Sequence, residues 1–376
     1  MTRFRALALT ILPLVLASAC AGGTSQAGPA GPAGPAGPAG PGGPGGPAGP
    51  ATSVGPTGAA SVSGRPVTLA FAGDIHFAGI LASRLDDPLS AIGPMRSVLA
   101  SADLAVANLE TSVTTRGTPQ EKQFVFRAPP TAFDAIRDAG IDVVTMANNH
   151  SLDYGPVGVP DALDAAAAAR VAVVGLGRDD AQAFAPHIAI VKGRRIAVLG
   201  ASAVVDDSLV STWSAGPGHP GIATALDGHN EAIVAAVEAV RPTVDTVVVE
   251  LHYGSDLKTC PTSIQRTLAD DLVAAGADVV VGQHAHVLVG GGYQGTAYVD
   301  YGLGNFEFYV SDGSPTSETG VLTLTTDGRA ISDPTWHPGR IVGGLPTALT
   351  GAAASEARAH KDSLRACAGL TAKPAT

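Results

Sequence analysis

Cysteine is scarce in this chain: three residues in 376, at positions 20, 260 and 367. No closely spaced pair exists from which a thiolate zinc site would be built. Basic residues are also short, 23 Lys and Arg against 33 Asp and Glu, for a formal charge of -10. With no Lys/Arg cluster, nucleic acid and an anionic membrane surface are excluded as electrostatic partners, because both need a basic face. Neither a P-loop nor an ATP-grasp signature occurs, so energy for any polymerisation has to come from another protein. What is present is ample apolar material, 45% hydrophobic against 15% charged. That suffices for one large or two ordinary domains.

The N-terminal "MTRFRALALTILPLVLASAC" has a basic start at Arg3 and Arg5, an apolar stretch from Ala6 to Leu16, and small residues before Cys20. This is the pattern of an export signal over residues 1–19, too short for a comfortable membrane span. The "ASAC" ending resembles a bacterial lipobox, with Ala17 where that pattern usually has Leu, and predicts Cys20 as a lipid anchor. The mature protein is expected outside the cytoplasm, facing outward from the cell membrane. Residues 28–51 then run as eight unbroken Gly-Pro-x triplets. Collagen requires Gly at every third position, but Ala and Gly at the third place make a weak triple helix. A polyproline-like spacer is the better reading, with trimerisation the alternative. Residues 20–65 are therefore anchor and linker, and the folded domain is expected from Pro66 to about residue 350, followed by a C-terminal helix and tail over 351–376.

From Pro66 onward, apolar runs alternate with helical spacing. "PVTLAFAGDI", "ADLAVANLE", "IDVVTMANNH", "RVAVVG", "HIAIVKGRRIAVLGAS", "DTVVVELHYG" and "ADVVVGQHAH" read as strands. Between them, "PLSAIGPMRSVLA", "PPTAFDAIRDAG", "GVPDALDAAAAA", "GHNEAIVAAVEAV" and "SIQRTLADDLVAAG" read as helices. The remainder is strand with turn residues, so an α/β domain with mixed sheets is predicted.

Ligand-type side chains follow the strand ends. Asp74 and His76 follow the first strand, Glu110 the second, Asn149 and His150 the third, His252 lies at the end of "VVVEL", and His284 and His286 follow "VVVG". In α/β sheets, sites form where the loops at the carboxyl ends of strands converge. Carboxylate, amide oxygen and imidazole together suit divalent transition ions. In a locally extended backbone His284 and His286 would point to the same side, roughly 6.5–7 Å apart, a spacing for two neighbouring ions. Each residue has a plainer reading: Asp74 as a turn cap, Asn148 and Asn149 in left-handed turns, His76 or His150 as half-buried rings. Five strand ends together favour the site.

"FAGDIHF", "ANLET", "FRAPP", "MANNHSLDYG", "LHYGSD", "GADVVVGQHAHVL" and "YGLGNFEF", in this order over about residues 67–310, resemble the CapA family of bacterial capsule and poly-γ-glutamate synthesis proteins. That family's domain is similar to calcineurin-like metallophosphoesterases. The resemblance implies a metallophosphatase-like β-sandwich flanked by helices, in four layers α/β/β/α, with a dinuclear centre of Mn, Fe or Zn at the strand ends. It implies Asp74 and His286 on one ion, Asn149, His252 and His284 on the other, Glu110 at the place of a bridging Asp, and His76 completing an Asp-x-His pair. His150 matches the histidine that stabilises the leaving or transferring group. Asn108, Asp153, Asp256 and Asn305 stand in the same motifs and are expected to meet substrate; Asp256 replaces the usual Glu of HWG-x-E.

The resemblance further implies a metal-dependent hydrolase of phosphoester or γ-glutamyl amide bonds, acting on an anionic polymer or phosphoester. The competing implication is a noncatalytic accessory subunit of a membrane polyglutamate synthase or export complex. With Cys20 lipidated, Cys260 and Cys367 remain as an even pair in an oxidising compartment, and a disulfide between them is predicted.

Overall fold

The computed structural model describes residues 64–310 and 312–376; Cys20, the export segment and the Gly-Pro-Ala repeat lie outside the described residues. All described residues belong to the compact unit Ala60–Thr376. Its first strand, β1 (Val67–Ile75), shows how the layers arise. Leu69 and Phe71 point to one apolar cluster, Ala70 and Ala72 to another, as a two-residue period demands.

Beside β1 lie β2 (Leu104–Leu109), β3 (Val143–Thr145) and β4 (Ala172–Val174), paired in parallel in that order. A second sheet is built from β5 (His187–Val191), β6 (Arg194–Ser202), β7 (Thr246–Tyr253), β8 (Val279–His284), β9 (Gly291–Gln294) and β10 (Ala297–Asp300), in the spatial order β9-β10-β8-β7-β6-β5. The chain then returns to the first sheet with β11 (Asn305–Glu307), β12 (Glu318–Asp327), β13 (Ala330–Val342) and β14 (Leu345–Ala348). There β11 pairs with β1 in parallel, and β12, β13 and β14 extend the sheet antiparallel. Both sheets are mixed, as the sequence pattern predicts.

Val106, Val198, Val248, Val279 and Val281 fill the space between the sheets with Leu69 and Phe71. Outside the first sheet pack α1 (Thr131–Asp138) and α2 (Gly158–Ala169), through Phe133, Ile136, Val159 and Ala162. Outside the second pack α3 (Glu231–Val240) and α4 (Ser263–Ala275), through Ile233, Val237, Leu268 and Leu272. The result is the expected order of four layers, α/β/β/α. Burial of β7 and β8 on both faces explains their unbroken Val runs, where an alternating pattern would signal a solvated face. The stretch "PLSAIGPMRSVLA", expected as one helix, forms two single turns, Pro88–Ala91 and Arg96–Leu99, broken between them at Gly93-Pro94.

The closing helix, α5 (Gly351–Ser363), lies against β13 and is followed by the turn Arg365–Ala368. Cys367 in that turn is bonded to Cys260, with Cα atoms 5.6 Å apart. The bond ties the C-terminal segment to the loop between β7 and α4. That loop ends at a capping box in which Thr262 and Gln265 bond each other's backbone N–H. No helix among the described residues is long and apolar enough to cross a membrane.

Candidate metal centre

Parallel pairing of β1, β2 and β3, and of β7 and β8, brings the carboxyl ends of five strands to one edge of the sandwich. At β1 the delivery is refined by a bulge between Ala72 and Asp74. Gly73 allows it: a Cβ there would sit 1.9 Å from the Gly304 carbonyl oxygen, which accepts the Asp74 N–H at 3.0 Å. Bulges of this kind re-aim a side chain, here Asp74, towards β8. Its Oδ2 accepts the His284 N–H at 3.2 Å and lies 3.5 Å from His286 Nδ1.

Asn108 is fully buried and holds the ligand candidates in register, with no face to the cleft. Its Nδ2 donates to Asp74 Oδ1 at 2.8 Å and lies 3.2 Å from His252 Nδ1. Asn148 Nδ2 donates to Asn108 Oδ1 at 2.9 Å, which fixes which end of the Asn108 amide is the donor. His252 Nδ1 is therefore an acceptor, and its Nε2 faces Asn149 Oδ1 at 2.8 Å. Asn149 and His252, which the resemblance assigns to one ion, bond each other in this structure.

Glu110 is also fully buried, yet neither carboxylate oxygen has a hydrogen-bond partner. Its Oε1 lies 3.6 Å from His252 Nε2 and 3.8 Å from His150 Nε2. Burial, then the nearby Asp74 carboxylate, pushes the Glu110 carboxyl well up, and burial also raises Asp74. Burial pushes His252 well down and His284 down to about 3, so these imidazoles are neutral. Orphaned anionic oxygens beside neutral ring nitrogens are what a divalent cation satisfies. The donor set fits: Asp74, Glu110 and His286 offer ligand atoms all within 4.8 Å of one another, as do Asp256, His284 and His286. His284 Nδ1 is a further buried atom with no partner.

The backbone at the His-x-His pair differs from the sequence expectation. His284 and His286 have φ of 88° and 55°, both left-handed, and their ring centroids are 5.9 Å apart. An extended backbone is not what aims them. A left-handed residue on each side of Ala285 turns the chain over the site, a conformation that costs non-glycine residues of order 1–3 kcal/mol each. Asn305 supports the turn: its Nδ2 donates to the His286 and Thr316 carbonyls, and its Oδ1 lies 2.8 Å from His286 Nδ1. Asn305 thereby leaves His286 Nε2 as the lone-pair nitrogen.

His150 and Asp153 form a dyad, with Nδ1 2.6 Å from Oδ2. Asp153 also accepts from the Phe126 N–H at 2.6 Å and from Lys122 Nζ at 2.8 Å, and it is fully buried. It is turned to His150 and away from any space a substrate would occupy. Lys122 bonds the Asn149 carbonyl as well, so one buried ammonium braces both an amide ligand candidate and the dyad. The sequence reading passed over Lys122; its loop, "TPQEKQF", carries no spacing signal. His76 is not brought into either ligand group. Its Nδ1 accepts the Ala78 N–H at 3.0 Å, and its ring stacks on Phe126 at 4.4 Å, with His150 stacked on the other face at 4.0 Å. Burial holds its ionisation well below the usual imidazole range.

Asp256, expected to meet substrate, lies at the rim with its side chain 70% exposed and Oδ1 3.3 Å from His284 Nε2. It joins His284 and His286 as a ligand candidate. Next to it a cavity of about 310 Å³ opens, walled by Phe124, Phe126, Leu257, Phe308, Tyr309 and Val310.

Comparison with known proteins identifies relatives of this chain. Residues 68–310 match the family described as bacterial capsule synthesis protein PGA_cap. The capsule biosynthesis protein CapA of Bacillus anthracis is 32% identical over 50% of this chain and 45% of its own. The PGA biosynthesis protein CapA of Bacillus subtilis is 31% identical over 56% and 54% respectively. A probable polyglutamine synthesis accessory protein of Mycobacterium tuberculosis is 29% identical over 49% of this chain and 50% of its own. The chain spans about half the length of the curated relatives it matches. Among solved structures, a phosphatase of Mycoplasma pneumoniae aligns with a TM-score of 0.46 at 11% identity, covering 78% of this chain and 97% of that one. With its match covering well over half of the 376 residues, the chain belongs to the PGA_cap family of bacterial capsule synthesis proteins.

Proposed function

We propose that this protein is a metal-dependent hydrolase of capsule or other envelope-polymer metabolism, exported and held at the membrane through a lipid on Cys20. The observation that carries the reading is Glu110: a buried carboxylate with two unpartnered oxygens, set between Asp74, His150, His252 and His286. Divalent ions held by Asp74, Glu110, Asn149, His252, His284 and His286, with Asp256 at the rim, would supply an activated water and polarise the attacked group. The chain's own residues do the rest. Asp153 fixes the His150 ring through Nδ1, which leaves Nε2 as the lone-pair nitrogen, placed to take a proton during the reaction and pass it to the leaving oxygen. Lys122 Nζ, 2.8 Å from Asp153 Oδ1, pins that carboxylate in place, so the dyad keeps its orientation.

The test uses purified protein loaded with Mn, Fe or Zn, a generic phosphodiester and γ-linked oligoglutamate. Up to two divalent ions should bind, and one substrate should turn over. His150→Ala should lower turnover by roughly 10²–10⁴-fold while metal content stays normal. A second reading, a noncatalytic accessory subunit of a synthase or export complex, is favoured by the mycobacterial relative, which is named as a probable accessory protein of polyglutamine synthesis. Tight metal binding with no turnover in wild type and variant alike would select it.

A further inference from the structure

A second cavity, of about 270 Å³, opens between α5 and the β12–β13 pair, away from the residues that gather at Glu110. The helix is seated on the sheet by its buried Ala354 and Lys361. Beside that seat Ala353, Glu356, Ala357 and His360, three and four residues apart, form one stripe along the cavity. Two alanines in the stripe keep the space open, where larger side chains would close it.

The charged groups around this space are unevenly used. Glu318 is compensated twice, by His360 Nδ1 at 2.8 Å and Arg340 Nη1 at 3.6 Å. Arg340 spends only that nitrogen, which also reaches Ser317 Oγ at 3.5 Å. Its Nε and Nη2 have no partner among the described residues, and neither does the exposed carboxylate of Glu356. Leu288 and the Trp336 indole add apolar lining, and the buried Trp336 N–H is itself without a partner. Unspent guanidinium nitrogens draw a carboxylate, and an unspent carboxylate draws an ammonium. Together on one small cavity they complement a zwitterion, the head group of an α-amino acid. The size agrees, since drug-sized ligands need roughly 300–1,000 Å³ and this space suits one residue-sized group.

We propose that this cavity binds a free α-amino-acid head group, its carboxylate on Arg340 and its ammonium on Glu356, carried by a free amino acid or by the amino terminus of a γ-linked glutamyl chain. In a γ-linked chain only the amino-terminal residue has both groups free, so the cavity reads that chain end. The site adjoins the metal centre through one segment: Glu318 and Thr319 line the cavity, Thr316 lines the cleft beside Asp256, and Thr319 Oγ1 donates to the Asn305 carbonyl at 2.6 Å. Binding here does not depend on the hydrolase reading.

The test titrates purified protein, with and without added Mn, by calorimetry while tryptophan emission is followed. The probes are L-glutamate, N-acetyl-L-glutamate, γ-linked tetraglutamate and α-linked tetraglutamate. L-glutamate should bind about fivefold more tightly than N-acetyl-L-glutamate, which lacks the ammonium. The γ-linked tetramer should exceed the α-linked one by about tenfold, because the latter's amino-terminal residue has no free α-carboxylate. A preference between free glutamate and the γ-linked tetramer names the carrier, and either direction upholds the site. Arg340→Gln should weaken L-glutamate by about tenfold, and Glu356→Gln should erase the discrimination against the acetylated probe. Ala357→Leu, with the fold checked by circular dichroism, should abolish binding by filling the space. Equal affinity for L-glutamate and its N-acetyl form in the wild type would overturn the proposal. So would L-glutamate binding that requires Mn and survives Arg340→Gln, or no binding of L-glutamate and the γ-linked tetramer at millimolar concentration.

Discussion

Two buried carboxylates of this molecule, Asp300 and Glu110, handle their charge in opposite ways. Under the C-terminal helix, Asp300 is fully buried against Lys361, whose Nζ lies 2.8 Å from Oδ1 and also donates to the Val289 and Gly302 carbonyls. The Gly302 N–H completes that oxygen's contacts, although Oδ2 has no partner. At the strand-end site, Glu110 is equally buried with no partner at either oxygen and two neutral imidazoles nearby. A buried anion that carries its own ammonium belongs to the scaffold. One that has no hydrogen-bond partner and sits within a group of ligand-type imidazoles and carboxylates is a candidate cation site, because a cation supplies the compensation that the fold does not.

Breaking the first region should cost most. Lys361→Met leaves Asp300 without its counter-ion and should destabilise the protein by about 3–5 kcal/mol, read by urea unfolding, with metal binding retained in the folded fraction. A loss under about 1 kcal/mol would erase the distinction drawn between the regions. Next is the Cys260–Cys367 bond, which closes a separation of 107 residues and anchors the loop bearing Asp256. Cys260→Ser with Cys367→Ser should cost about 2–4 kcal/mol by the loop-entropy argument and weaken metal retention through that loop. Unchanged stability together with unchanged metal content would show that the loop needs no tether.

Glu250 lies between these extremes and sharpens the comparison through pH. It is fully buried with one partnered oxygen, accepting from Gln283 Nε2 at 3.4 Å, and burial pushes its carboxyl up to about 8. A carboxyl raised in the folded state contributes most below the unfolded value of 4.5 and loses that contribution as pH climbs through about 8. Glu250→Gln removes the titration, so metal-free variant and wild type should melt alike near pH 4.5. At pH 8 the variant should be more stable by on the order of 4 kcal/mol. A difference that shrinks with rising pH would reverse the sign and refute the buried-anion account. The smallest stability effect belongs to Glu110→Gln, under about 1 kcal/mol without metal, since no partner is lost. Its metal content should fall instead. Retained stoichiometry by elemental analysis would mean Glu110 is not a ligand.

Much of this was legible in the chain itself. The Val runs of β7 and β8, the alternation in β1 and the helical spacing around Phe133 and Leu268 specify two sheets between helices, because burial periodicity is a local property. Parallel pairing then follows from strands separated by helices, and it places Asp74, Glu110, Asn149, His252 and His284 at one edge. Residue type and position relative to strand ends therefore name most of the candidate ligands, with His76 in excess and Asp256 read as a substrate contact.

What only the tertiary structure decided is how those side chains are aimed and supported. The left-handed turn at His284 and His286 has no signature in "GQHAH", since the strain is held in place by Asp74 and Asn305 from strands distant in sequence. Asp153 and Asn108 look like substrate contacts until the fold shows them fully buried against His150 and Asp74. Lys122 and the aromatic cleft arise from loops 124–126 and 308–310 meeting across the sandwich mouth, a juxtaposition no local pattern encodes. Sequence sets which groups reach the site because periodicity and strand order are local; contacts between distant loops and the compensation of buried charge are collective, and exist only once the chain has closed on itself.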